Sequence, residues 1–175
     1  KPDDQIAMMY IRDINDEYLK QLDKIIRHAK DAFASVTVNI SDGSCIMANS
    51  RIASLELKDV NEPLDSYIER ISQSIPQREV RTQYRKVFCV DNLRECLTQG
   101  KDMIQLECPV YAAKGISLRM IRTTVEMVRN VSYDRLEALI YFSDITENYF
   151  SEQIPHMLYR KNFDRIEIID GQRDC

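Results

Sequence analysis

Three stretches in the last third of the chain carry the two-residue rhythm of β-strands, with a turn signal between each and the next. The first, about 103–112, alternates Ile104, Leu106, Cys108 and Val110. Lys114-Gly115 then turns the chain. The second, about 117–128 (SLRMIRTTVEMV), is rich in β-branched residues, which favour strands. Asn130 to Asp134 form the next turn. The third, about 136–143 (LEALIYFS), stops at Asp144-Ile145-Thr146-Glu147. An Asp with a Glu three residues on resembles a capping box, so a helix is expected to begin there.

A hairpin is expected earlier. Val36, Val38 and Ile40 alternate with Thr37 and Asn39; Ser41-Asp42-Gly43 is a turn, and Cys45 to Ala48 form the return strand. Before it, Ile14, Tyr18, Leu22, Ile25, Ala29 and Phe33 recur at helical spacing, which predicts a long helix over 14–33. Residues 5–11 (QIAMMYI) read as a strand. Between 60 and 100 the pattern is of short helices. Leu64, Ile68, Ile71 and Ile75 share one face. Pro76 is expected at the first position of a second helix carrying Val80, Tyr84 and Val87. Asp91 is expected to cap a third, which Gly100 ends. The order predicts an α+β fold: a five-stranded antiparallel sheet with flanking short helices and a long N-terminal helix.

Several function classes are disfavoured. The chain has 175 residues, enough for one sizeable core, and its net charge of −4 argues against nucleic acid as the main partner. Apolar runs fall far short of the roughly 20 residues a membrane helix needs. Four glycines, none clustered, leave no phosphate-cradling loop. Five cysteines without close pairs fit a reducing cytosol. With Lys1-Pro2 at its start, the chain reads as a cytoplasmic fragment of something longer.

The sequence echoes itself. IAMMYIRDIND at 6–16 matches EALIYFSDITE at 137–147, pairing Ala7 with Ala138, Tyr10 with Tyr141, Asp13 with Asp144 and Ile14 with Ile145. FDRIEIIDG at 163–171 matches FASVTVNISDG at 33–43 with a two-residue gap. This suggests a tandem array: the tail of one repeat over 1–12, a complete domain over 13–150, and a linker helix with the start of another repeat over 151–175.

A strand running into Asp144-Ile145-Thr146-Glu147 and then a helix, within this element order, resembles the ending of bacterial PAS domains. The resemblance covers about 13–150. It is greatest to tandem PAS repeats of proteins that carry diguanylate cyclase (GGDEF) output domains. It implies a sensory or dimerisation module that passes a signal through its flanking helices to a cyclic-di-GMP output outside this chain. A Gly-Gly-Asp-Glu-Phe run is absent, so no catalysis is expected within the chain.

No cofactor is expected. Haem-binding relatives use a histidine in the helical middle, whereas His28 and His156 both lie outside it. The Asn-Cys-Arg-Phe-Leu-Gln context of flavin photosensors is absent around Cys89 and Cys96. Neither histidine has metal-ligand neighbours at suitable spacing, and no metal is expected. Strand parity places Phe88, Leu106, Cys108, Ile121, Thr123, Val125, Leu139 and Tyr141 around a small-molecule pocket, though both faces carry apolar residues. Asp144 and Thr146 are expected to form the output hinge, and helix 14–33 to contribute to a homodimer. The rival expectation is a structural spacer and dimerisation unit without a ligand.

Overall fold

The computed structural model describes residues 20, 23–25, 27–50, 52, 55–59, 61–111, 117–130 and 135–152. The chain divides into two compact units, Lys1–Asp144 and Ile145–Cys175. The expected strand at 5–11, the first part of helix 14–33, and the repeat echoes at 6–16 and 163–171 lie outside the described residues.

The first unit is an α+β domain built on one sheet. Its elements run β1 (Ala34–Asn39), β2 (Ser44–Ser50), α1 (Leu64–Ser72), α2 (Arg78–Phe88), α3 (Val90–Thr98), β3 (Met103–Tyr111), β4 (Leu118–Asn130) and β5 (Arg135–Asp144). The spatial order is β2-β1-β5-β4-β3, with every neighbouring pair antiparallel. The first and last strands thus meet at the centre, and the three helices bridge the two edges in sequence. This five-stranded antiparallel sheet with flanking helices is the PAS-like fold.

Local chemistry sets the turns. Between β1 and β2, Asp42 Oδ1 accepts from the Ser44 amide at 2.9 Å and its hydroxyl at 2.6 Å. Gly43 takes φ +77°, and a β-carbon there would come within 3.1 Å of Val90 Cγ2. Gly100, at φ +75°, ends α3 as expected, with the Lys101 amide donating back to Cys96 O at 2.9 Å.

Three expected boundaries move. The described helical residues before β1 reach no further than His28; a turn occupies 29–31, and Phe33 already donates its amide to Phe142 O at 3.0 Å, leading into β1. Gln77 is the N-cap of α2, so Pro76 lies just outside the helix rather than at its first position. Asp91 does not cap α3. Its N-cap is Cys89, and the Val90 amide is met by Asp65 Oδ1 from α1 at 3.0 Å, a partner remote in sequence.

Cross-strand partners in an antiparallel pair share a face. Cys108 pairs with Ile121, Leu106 with Thr123 and Ile104 with Val125. On the other side Thr123 pairs with Phe142 and Val125 with Ile140, and Ile140 pairs with Val36. This inner face packs with Leu64, Tyr67, Ile68, Ile75, Tyr84, Phe88 and Leu93 in one continuous core. The expected α1 face is buried throughout, including Ile75 beyond the helix end; in α2 the fully buried pair is Tyr84 and Phe88, with Val80 and Val87 only partly covered.

Candidate functional site

Where β3, β4 and β5 meet the α1–α2 segment, the core does not close. A cavity of about 650 Å³ remains. Its sheet wall is Cys108, Val110, Ile121, Thr123 and Phe142; its opposite wall is Ile71, Ile75 and Tyr84, with Phe33 and Leu55 at the sides. Arg119, Asp144, Tyr111 and Ile52 stand at the exposed rim. Phe33 leans on Phe142 with ring centroids 6.4 Å apart, and Tyr84 meets Phe88 edge-on at 4.7 Å.

The wall is largely apolar, and the hydroxyl of Ser74, which also lines it, turns back to donate to Ile71 O at 2.7 Å. Tyr84 OH and Thr123 Oγ1 lie 3.0 Å apart, both buried. Burial pushes the Tyr84 phenol far above its ordinary range, so it stays a neutral hydroxyl. Burial also pushes the Cys108 thiol up to about 11, so at neutral pH it is a small apolar wall group rather than a nucleophile. At the rim Arg119 Nη1 donates to Asp144 Oδ2 at 2.7 Å.

The expected pocket residues divide. Cys108, Ile121 and Thr123 line the cavity. Phe88 and Val125 are fully buried in the core beside it, and Leu106 packs partly buried against that core. Leu139 and Tyr141 are a correction: they sit on the opposite face, because the register puts Ile140 and Phe142 across from Val125 and Thr123. A one-residue slip in β5 exchanges the two sets, and both contain large apolar residues. Tyr84, Ile71, Ile75 and Phe142 were not in the expected set. The helical spacing of 64–75 marked Ile71 and Ile75 as buried, but nothing local marked them as cavity wall.

Asp144 is the last residue of β5 and also part of the rim. Helical residues follow from 146 to 152. Their first hydrogen bond, from the Tyr149 amide to Ile145 O at 2.8 Å, puts Ile145 rather than Asp144 at the N-cap position.

Two further polar clusters lie away from the cavity. On the outer sheet face, Glu126 Oε1 accepts from Tyr141 OH at 2.7 Å and meets His28 Nδ1 at 2.8 Å. His28, unremarkable in the sequence, is thereby tied to β4. Burial, and then the Glu126 carboxylate, push the Tyr141 phenol up. Beside β2, buried Glu62 is paired with Arg70 at 2.9 Å, and Arg70 lies 5.1 Å above the Tyr67 ring. Burial, with Glu62 adding to it, pushes the nearby Cys45 thiol up to about 12. Among the described residues no three His, Cys, Asp or Glu side chains are grouped to hold a metal, and the four described cysteines are free thiols.

No family model matches the chain, and no curated protein matches it. Solved structures do. The chain is similar to a sensory box histidine kinase/response regulator from Burkholderia thailandensis, with TM-score 0.46 and 15% identity over 81% of this chain and 97% of that one. It is similar to the PAS domain of Bordetella pertussis BvgS, with TM-score 0.43 and 10% identity over 81% and 98%. It is also similar to the N-terminal domain of a diguanylate cyclase with PAS/PAC sensor from Marinobacter aquaeolei, with TM-score 0.41 and 14% identity over 66% and 97%. The PAS-like fold itself rests on the chain's own strand order and register.

Proposed function

We propose that this chain is a non-catalytic sensory module that takes a small molecule into the cavity and passes the occupancy to the chain beyond Asp144. One observation carries the reading. The inner face of β3, β4 and β5 lines a cavity of about 650 Å³, and Asp144, at its rim, is the last residue before the second compact unit. Cavities of roughly 300–1,000 Å³ with apolar walls and few polar groups are the usual form of small-molecule sites. A ligand pressing on Ile121 or Phe142 acts on strands that end at the Arg119–Asp144 pair, so Asp144 and Thr146 are the hinge in this reading.

The wider setting follows the PAS resemblance: a cytoplasmic bacterial signalling protein, a homodimer, and a cyclic-di-GMP output domain outside the chain. Among the described residues, no helix is long and apolar enough to cross a membrane. Light scattering tests the dimer; a monomer at high concentration contradicts it.

The ligand reading is tested by a thermal-shift screen of small metabolites on the wild type and on Val110→Trp, which drives an indole ring into the cavity. A ligand bound only by the folded state raises the melting temperature. The reading expects a hit that Val110→Trp loses. Hits equally strong on both proteins, or none from a broad library, favour a spacer without a ligand.

A further inference from the structure

The cavity wall selects the chemistry of what it holds. Among the described lining residues, the fully buried polar feature is the Tyr84–Thr123 hydroxyl pair, 3.0 Å apart, while the half-buried Ser74 hydroxyl already donates to Ile71 O. Two hydroxyls carry two donor protons, and the bond between them uses one. Among the described residues neither has another partner. One O–H donor is therefore left at a buried apolar wall, where an unmade hydrogen bond is costly. Around it stand Cys108, Ile121, Ile75 and Phe142. The charged groups lining the cavity are Arg119 and Asp144, which face each other across 2.7 Å at the rim and neutralise one another. Among the described residues nothing at depth compensates a ligand charge, and burying an uncompensated charge is prohibitive.

We infer that the ligand is an uncharged, largely apolar molecule that presents a hydrogen-bond acceptor to the Tyr84–Thr123 pair. The inference rests on the ligand-binding reading above and narrows it. A carbonyl, ether or ring-nitrogen acceptor on an aromatic or alicyclic body satisfies the spare hydroxyl proton and fills the apolar wall. Carboxylates, phosphates and amines are rejected because the Arg119–Asp144 pair already spends both rim charges.

The test uses prodan, a neutral naphthyl ketone whose emission shifts blue in apolar surroundings and red when its carbonyl accepts a hydrogen bond. Its anionic counterpart is dimethylaminonaphthoate. The expected result is prodan binding that Val110→Trp abolishes. The naphthoate should bind at least about 100-fold more weakly, because its charge finds no partner. Removing both hydroxyls, in Tyr84→Phe with Thr123→Val, should weaken prodan roughly fivefold, the worth of one net hydrogen bond, and move bound emission further to the blue. Val110→Phe replaces the Trp variant if that protein does not fold. Cavity-blocked binding in which the naphthoate equals prodan, or in which Tyr84→Phe with Thr123→Val changes neither affinity nor colour, overturns this inference and leaves the ligand reading standing. Failure of prodan to bind, or binding that the blocking variants leave intact, overturns both.

Discussion

Glu126 is a carboxylate almost out of water, 6% exposed, with a phenol and an imidazole as its partners. Removing it takes away the acceptor of the Tyr141 hydroxyl in a buried setting. Glu126→Ala should cost roughly 1–3 kcal/mol in chemical denaturation, and Glu126→Gln, which keeps an acceptor, clearly less. Equal losses from the two would mean that the Tyr141 bond is not what holds this cluster. The buried thiols set a second dependence. Burial raises Cys108 from 9.0 to about 11 and Cys45 from 9.0 to about 12, and raises the phenols of Tyr67, Tyr84 and Tyr141 in the same direction. The folded chain keeps these groups neutral at pH values where the unfolded chain has begun to ionise them. The unfolded state then binds fewer protons, so stability falls as pH rises. The contribution is whole below the ordinary thiol value of about 9 and is lost progressively as the pH climbs toward the raised values. Urea midpoints should therefore drop between about pH 8 and about pH 10, and Cys45→Ala with Cys108→Ala should flatten the drop. A level wild-type midpoint would contradict the burial of these groups.

At the scale of elements, α3 depends on a neighbour. Its first amide is met by Asp65 of α1, so Asp65→Ala should cost roughly 0.5–2 kcal/mol while Asp91→Ala costs little. The reverse ranking in melting experiments would restore the local cap. Asp91 shows where the sequence runs out: it stood at the right place for a cap, but the acceptor came from a residue brought near only by folding. The strands were legible because Ile104, Leu106, Cys108 and Val110 alternate cleanly. Gly43 and Gly100 were legible because each sits at a turn that needs positive φ. The face of β5 was not. Leu139 and Tyr141 are as apolar as Ile140 and Phe142, and only pairing with Val125 and Thr123 decides which set faces inward. Cys108, Ile121 and Thr123 were found because their strands carry a polar or charged residue on the opposite parity, such as Glu107 and Arg122. Tyr84 was missed as a site residue because a helical pattern announces burial and not the void beside it.

For the molecule as a whole, the cavity and the step beyond β5 are joined through strands that end at Asp144. The Arg119–Asp144 pair is half open to solvent, and exposed pairs are worth about 0–1 kcal/mol. Loss of this pair in Asp144→Ala should thus by itself cost less than about 1 kcal/mol, yet the variant should alter regulated output in the full-length protein. Loss of stability with normal regulation would reduce Asp144 to a structural role. The most direct measurement is amide hydrogen exchange with and without saturating prodan. The account predicts slower exchange in β4 around Ile121 and Thr123 and in β5 at Ile140 and Phe142, together with a change reaching Ile145 to Tyr149. Protection that stops at Phe142, leaving the residues after Asp144 untouched, would contradict a sensor and leave only a cavity.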